Sequence, residues 1–312
     1  MVATVWLCPG QGAQKVGMGK DLAERFPEAR DTFQAIDEAL AFPLSRLMFE
    51  GPEDELTQTH NAQPAILAHT AAVFAAVHAA GPAPVAAAGH SLGEYSAYIT
   101  AGGLTAPDAA RLVRKRGELM LQAGTERPGT MAAVLGLATA QVEAACREAS
   151  RDGAVATPAN LNAPDQTVIS GDPDAVRRAG EACKARGAKR VIPLKVSGAF
   201  HSPLMAPAAS HLRIALDRAP FRDPGFPVIA NATAEAVHDA ARARRLLADQ
   251  LTTPVRWVDC VLNAAALAGD GARFIEIGPG SVLAGLVRRI VPGANVVSLG
   301  TAAEVATFLE AA

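Results

Sequence analysis

Ser91 lies at the centre of the stretch GHSLGEYSA, which runs from residue 89 to residue 97. The pattern GxSxG is typical of a nucleophile elbow, a sharp strand-to-helix turn that exposes a serine hydroxyl. Because a serine hydroxyl is a weak nucleophile, it needs a base within hydrogen-bond reach and N–H donors for the developing oxyanion. The pattern by itself also fits a tight turn with an idle serine, so the rest of the sequence has to supply these partners.

Seven histidines are candidates for the base. His90 precedes Ser91, and at a sharp turn its side chain should point away from the serine, so we expect it to line the site. His201, in VSGAFHSPLM, follows a predicted strand and precedes a helix, among small residues that would let a ligand approach. His201 is therefore the predicted base. The other five lie within or beside predicted helices, where surface or core roles are expected: His60, His69, His78, His211 and His238.

The acid of a Ser–His–acid triad is not evident between Ser91 and His201, where an α/β-hydrolase would place it. Asp165, Asp172 and Asp174 occupy that interval, but they fall at turns or a helix start of a predicted small domain. Either a backbone carbonyl orients the histidine, or the protein is not a hydrolase.

The composition excludes several classes of protein. The chain has 312 residues, a net charge of -2 and only 4% aromatic residues, so no basic surface or stacking platform for nucleic acid is expected. The apolar runs are too short or too interrupted for a signal peptide or a membrane span, which predicts a cytoplasmic protein. Its four cysteines, Cys8, Cys146, Cys183 and Cys260, are far apart and suggest neither disulfides nor a metal site, so we expect them in the core.

The elements that must position Ser91 and His201 alternate between strands and helices. ATVWLCPG and PVAAAGHS predict buried strands, the second delivering Ser91, and FPVIAN, ARFIEIGPG and NVVSLG continue a parallel sheet. Helices are predicted between them, one closed by Gly81 and another running from the capping Thr105 to Gly124.

Residues 126–197 have a different pattern, strand-helix-strand-strand-helix-strand, which is the order of a ferredoxin-like unit. The predicted fold class is therefore α/β, a large α/β-hydrolase-like domain with a parallel sheet (1–125 and 198–312) and an inserted ferredoxin-like domain (126–197).

Five stretches carry a family resemblance over essentially the whole chain: PGQGAQKVGMG, GHSLGEYSA, RKRGELM, GAFHSPLM and FIEIGPG. Their order and spacing resemble those of malonyl-CoA:acyl-carrier-protein transacylases and the related acyltransferase domains of polyketide synthases. The resemblance implies that Ser91 is the nucleophile and His201 the base. It also implies that the N–H groups of Gln11 and Leu92 form the oxyanion hole and that the backbone carbonyl of Gln250 orients the histidine.

Arg116 is implied to bind the free carboxylate of the substrate. An arginine forms two parallel hydrogen bonds with a carboxylate and stays charged when dehydrated. A solvated charge beside Arg114 and Lys115 would be the expectation without the resemblance.

Other residues are implied to line the substrate pocket. In the family's polyketide-synthase branch, a phenylalanine before the histidine, as in Phe200 here, goes with malonyl rather than methylmalonyl units. Gly198 stands where that branch usually has histidine, which predicts a looser pocket. Asn160 and Asn162 resemble positions near the thioester arm, but they equally fit turn asparagines beside Pro164. Glu276, at a strand end, is expected to be a buried structural acid.

The resemblance implies a ping-pong transfer of a malonyl group from malonyl-CoA to the phosphopantetheine thiol of an acyl carrier protein, for fatty-acid or polyketide synthesis. No metal or redox cofactor is expected, malonyl-CoA being a substrate, and a monomer without nucleic-acid or membrane partners is expected. Two alternatives are other enzymes: a serine esterase or thioesterase, which would have an orienting acid and no use for Arg116, and an acyltransferase for a substituted malonyl unit. A third is a silent module that only docks a carrier protein.

Overall fold

The computed structural model describes residues 2–79, 84–196 and 198–311. Within these residues there are ten strands: β1 Thr4–Cys8, β2 Ala86–Gly89, β3 Thr130–Leu135, β4 Ala156–Ala163, β5 Gln166–Gly171, β6 Arg190–Pro193, β7 Val228–Ile229, β8 Ala236–Val237, β9 Arg273–Ile277 and β10 Asn295–Leu299. No helix in the described ranges is long and apolar enough to cross a membrane.

The same residues form fourteen α-helices and one short 3₁₀ helix, Pro203–Met205. The α-helices are α1 Lys20–Arg25, α2 Pro27–Leu40, α3 Leu44–Glu50, α4 Glu53–Leu56, α5 Thr59–Val77, α6 Gly93–Thr100, α7 Ala106–Glu126, α8 Thr139–Ala149, α9 Pro173–Ala185, α10 Ala206–Arg218, α11 Ala240–Asp249, α12 Trp257–Ala268, α13 Val282–Ile290 and α14 Ala302–Glu310.

The main sheet has the strand order β10-β9-β1-β2-β7-β8, and neighbouring strands are parallel except β7 and β8. All five residues of β1 are buried. Trp6 and Cys8 belong to one hydrophobic cluster, whereas Val5 and Leu7 belong to another that includes residues of α12 and α13. Because both faces of the strand are covered, its sequence is a continuous apolar run rather than an alternating one.

The small sheet has the order β4-β5-β3-β6, with antiparallel neighbours, and α8 and α9 pack on it. This is the ferredoxin-like arrangement, so the predicted fold class is confirmed. The strands of this sheet run from Thr130 to Pro193. Val255 of the large domain pairs with β4: its N–H donates to Ala159 O at 2.8 Å, and its carbonyl accepts from Leu161 N at 2.9 Å.

Some local predictions need correction. The helix expected to end at Gly124 continues to Glu126, after the predicted Thr105 cap accepts a hydrogen bond from Asp108 N. FPVIAN supplies only the two-residue strand β7, because the next main-chain N–H groups donate elsewhere, that of Ala230 to Glu235 O and that of Asn231 to Glu94 Oε2. The helix expected to close at Gly81 already ends at Val77, and Gly81 itself lies outside the described residues. The four cysteines are buried, as predicted.

Candidate active site

Ser91 occupies a sharp turn between β2 and α6 and has a left-handed backbone, with φ of 54°. The turn requires glycine on both sides. A Cβ at Gly89 would lie 1.9 Å from the carbonyl oxygen of Gly93, and a Cβ at Gly93 would lie 2.2 Å from that of Cys8. These approaches are possible only without a side chain, so the two glycines fix the turn that presents the serine.

Two buried amide side chains hold the main chain of Ser91. Its N–H donates to Asn231 Oδ1 at 2.7 Å, and its carbonyl accepts from Gln250 Nε2 at 3.0 Å. Asn231 Nδ2 also donates to Gly89 O at 2.7 Å. These bonds stabilise a conformation that costs about 1–3 kcal/mol in isolation for a residue other than glycine.

His201 forms a hydrogen-bonded pair with the serine. Its Nε2 lies 2.8 Å from Ser91 Oγ, and its Nδ1 lies 2.9 Å from the backbone oxygen of Gln250. Because a carbonyl oxygen can only accept, Nδ1 carries the proton and Nε2 accepts from the serine hydroxyl. The carbonyl therefore takes the orienting place that an aspartate has in a triad.

His201 is only 4% exposed. Burial first, and then the nearby charge of Arg116, lower its pKa to about 3, although hydrogen bonds such as the one to Gln250 O act in the opposite direction. The imidazole is thus neutral at physiological pH and can accept the serine proton.

Arg116 is 1% exposed, so the alternative of a solvated charge is wrong. Its Nη2 donates to Ser91 Oγ at 3.0 Å and to Gln250 Oε1 at 2.9 Å, while Nη1 donates to Gln63 Oε1 at 2.6 Å. A guanidinium has five N–H donors, and its Nε has no partner in the described part of the chain. A buried cation with donors to spare lies directly beside the nucleophile and suits a carboxylate.

Gln11 lies in the loop after β1, beside the Ser91 turn, because β1 and β2 are parallel neighbours. Its Oε1 accepts from Thr59 Oγ1 at 2.9 Å. The main-chain N–H groups of Gln11 and Leu92 donate to no acceptor in the residues described here. Both therefore remain available to an oxyanion.

The remaining predicted pocket residues differ in the contacts that they make. His90 Nε2 lies 2.8 Å from Asn162 Oδ1, which joins the elbow to the small domain, and the His90 ring lies 5.4 Å from that of Trp257. Asn160 is buried, and its side chain makes no hydrogen bond to other described residues. Both asparagines belong to β4, so the alternative of turn asparagines is wrong.

Phe200 is 6% exposed and fills the space beside Gly198. A Cβ at Gly198 would lie 3.1 Å from Phe200 Cε1 and 3.4 Å from Gly124 Cα. A side chain at residue 198 would therefore meet Phe200 and Gly124 at its first atom, and the looser substrate pocket stays a prediction.

Three buried polar residues of the site were missed by sequence reasoning. Glu94 Oε2 accepts from Gln250 Nε2 at 2.7 Å and from Asn231 N at 2.9 Å, and Gln63 binds Arg116 as described. A signal was available for each. Glu94 and Gln63 interrupt buried helices with polar side chains, and Asn231 follows a buried strand at the carboxyl edge of the sheet.

Glu276 is structural, as expected: its two oxygens accept from the N–H groups of Leu283 at 3.0 Å and Ala284 at 2.8 Å, at the start of α13. No cluster of three or more His, Cys, Asp or Glu side chains suited to a metal ion was found in the described residues.

The profile of the acyl transferase domain family matches residues 5–306. A malonyl CoA-acyl carrier protein transacylase from Bacillus subtilis is 45% identical over 290 residues, covering 93% of this chain and 91% of that protein. A protein of the same name from Escherichia coli K12 is 42% identical over 311 residues, covering 99% of this chain and 100% of that protein.

Solved structures show the same similarity. The crystal structure of an acyl carrier protein S-malonyltransferase from Vibrio cholerae has a TM-score of 0.93 at 41% identity, covering 98% of this chain and 99% of that chain. A malonyl-transacylase in complex with its type II polyketide synthase acyl-carrier protein has a TM-score of 0.94 at 41% identity, covering 99% and 100%. With its serine, histidine and arginine brought together in this fold, the chain belongs to the acyl transferase domain family.

Proposed function

We propose that this protein transfers a malonyl group from malonyl-CoA to the phosphopantetheine thiol of an acyl carrier protein, for fatty-acid or polyketide synthesis. The proposal rests on one observation: Arg116 Nη2 and His201 Nε2 both lie within hydrogen-bond distance of Ser91 Oγ, at 3.0 Å and 2.8 Å. A hydrolase of neutral esters has no use for a buried cation at this place. The names of the relatives agree with malonyl transfer, and one relative was solved with its carrier protein.

In the first half-reaction, Ser91 Oγ attacks the thioester carbonyl while His201 Nε2 takes its proton. The N–H groups of Gln11 and Leu92 stabilise the oxyanion of the tetrahedral intermediate. His201 returns the proton to the departing sulfur of coenzyme A, which leaves a malonyl ester on Ser91.

In the second half-reaction, the carrier's phosphopantetheine thiol loses its proton to His201 and attacks the ester, and the proton returns to Ser91 Oγ. Arg116 holds the malonyl carboxylate in both halves, with His90, Asn160, Asn162 and Phe200 lining the pocket. The chain supplies every group in this scheme, and no metal or redox cofactor is part of the proposal.

The test follows the acyl group in time. Purified protein is mixed with malonyl-CoA, with and without a holo acyl carrier protein, and mass spectrometry scores the Ser91 ester, the malonylated carrier and free malonate. We expect a stable ester that disappears when carrier is added, as malonyl-carrier forms. Malonate released faster than malonyl-carrier would show a thioesterase instead.

A further inference from the structure

Glu94 is a fully buried carboxylate that the proposed mechanism does not use. One amide group separates it from Arg116: Glu94 Oε2 accepts from Gln250 Nε2 at 2.7 Å, and Gln250 Oε1 accepts from Arg116 Nη2 at 2.9 Å. The NH₂ group of the Gln250 amide faces the anion and its oxygen faces the cation. If the amide were turned over, its oxygen would face the carboxylate and its NH₂ group the guanidinium, and both contacts would be repulsive. Glu94 therefore balances the buried charge of Arg116 without occupying the donors that face the serine.

The hydrogen bonding of Glu94 is one-sided. Oε2 accepts from both Gln250 Nε2 and the N–H of Asn231, whereas Oε1 is buried without a partner in the described residues. Burial raises the pKa of Glu94 to about 7, although both hydrogen bonds and the charge of Arg116 lower it. A change of one charge nearby is enough to shift its protonation at neutral pH.

The other titratable groups around Glu94 keep one protonation state near neutral pH. These groups are Tyr95 and Tyr98 of the same helix, Cys260 of α12, Arg116 of α7, and His201 beyond Gln250. Burial raises the pKa of both tyrosines and of the cysteine, so they stay protonated. The histidine stays neutral because its pKa is lowered to about 3, and the guanidinium stays charged.

We propose that Glu94 is the counter-charge of Arg116 and takes up a proton when the carboxylate of a dicarboxylic acyl group binds to Arg116. The inference rests on the proposed function, because it takes Arg116 as the partner of the malonyl carboxylate. Two carboxylates would then share one buried guanidinium, and like charges in a low-dielectric site disfavour ionisation of one of them. The proton comes from solvent and binds to the unpartnered Oε1. A neutral acyl group such as acetyl brings no second anion and causes no uptake.

The experiment compares malonyl-CoA with acetyl-CoA as acyl donors to the intact enzyme in weak buffer containing a pH indicator. Both thioesters release the same thiol, so the difference between their proton balances isolates the effect of the acyl carboxylate. Mass spectrometry counts the Ser91 esters. At about one pH unit above the pKa of Glu94, we expect malonylation to take up about half to one proton more per ester than acetylation.

Glu94→Gln tests the assignment, because a glutamine oxygen can accept both hydrogen bonds of Oε2 while its NH₂ replaces the unpartnered Oε1. We expect the extra uptake to vanish in this variant. In the wild type the equilibrium constant for malonylation falls up to about tenfold per pH unit above the pKa of Glu94, and in the variant it becomes independent of pH in this range. Glu276→Gln is the matched control, a buried carboxyl at the other corner of the sheet, and it keeps the uptake.

Extra uptake that persists in Glu94→Gln, or that is absent in a wild type forming the malonyl ester, would overturn the proposal. If the variant does not fold, a wild type that forms the malonyl ester without extra uptake still overturns the proposal. A wild type that forms no malonyl ester overturns the proposed function itself, and this outcome is seen in the ester count before any proton is measured.

Discussion

After β2 the chain turns at Ser91 into α6, and after β9 it turns through Gly278–Gly280 into α13; each of these corners of the main sheet has a buried glutamate. At the β9 corner, Glu276 accepts from two main-chain N–H groups, one on each oxygen. At the β2 corner, Glu94 accepts through one oxygen only, from Gln250 Nε2 and from the main-chain N–H of Asn231.

The difference separates structure from chemistry within one fold. Both oxygens of Glu276 accept from N–H groups at the start of α13, so this carboxylate stabilises the helix. The β2 corner keeps the N–H of Leu92, a guanidinium donor and a serine hydroxyl for a ligand. We expect substitutions at the first corner to change stability, and substitutions at the second to change catalysis.

Ser91→Ala has the largest expected effect, complete loss of the malonyl ester. The fold should persist, because Asn231 and Gln250 hold the main chain of residue 91 rather than its hydroxyl. Intact-protein mass spectrometry after incubation with malonyl-CoA checks the ester, and circular dichroism checks the fold. An ester on the variant would place the nucleophile elsewhere.

His201→Ala should slow acylation by about 10²–10⁴-fold, the usual contribution of a general base. Single-turnover kinetics with malonyl-CoA measure the rate. A rate near that of the wild type would point to another base, with His90 the first to test, although its Nε2 is directed to Asn162.

Arg116→Ala should reduce kcat/KM for malonyl-CoA by about 10²–10³-fold, because the acyl carboxylate would be buried without a partner at a cost of about 3–5 kcal/mol. Acetyl-CoA brings no carboxylate, so its turnover should fall little or rise. Arg114→Ala is the matched control on the same helix, since Arg114 is half-buried and bonds to the oxygens of His60, Asn61 and Glu118 instead. Equal losses for both thioesters would reduce Arg116 to a structural role.

Glu276→Gln has the smallest expected effect on activity and lowers the free energy of unfolding by about 1–3 kcal/mol, because an amide has one acceptor for two N–H groups. Urea denaturation measures the change, and kcat/KM per folded molecule should match the wild type.

Glu94→Gln should change the free energy of unfolding by an amount that depends on pH. Because burial raises the pKa of Glu94 from 4.5 to about 7, the wild type loses stability relative to this variant as pH rises through that interval. Urea denaturation of the wild type and of Glu94→Gln at several pH values measures the change. A difference in the free energy of unfolding that does not vary with pH would contradict the raised pKa of Glu94.

The sequence was sufficient to predict the residues that a local sequence pattern marks. GxSxG predicted the elbow, and the histidine between a strand and a helix predicted the partner of Ser91. Geometry alone showed that Gln250 binds through both its main chain and its side chain, that Asn231 accepts from the N–H of Ser91, and that Glu94 accepts from Gln250 and Asn231. No periodicity marks such roles, since buried polar residues in a helix or at a strand end fit many structures.

The sequence by itself determined the order of the elements, the apolar strands buried on both faces and the glycines that the turn needs. The tertiary structure decided which polar side chains meet. Arg116 and Gln250 are 134 positions apart, and Ser91 and Asn231 are 140 apart. Hydrogen bonds over such separations depend on the parallel alignment of β1, β2 and β7, which brings the carboxyl ends of distant strands to one edge. Local sequence preferences act over a few residues and therefore do not specify these contacts.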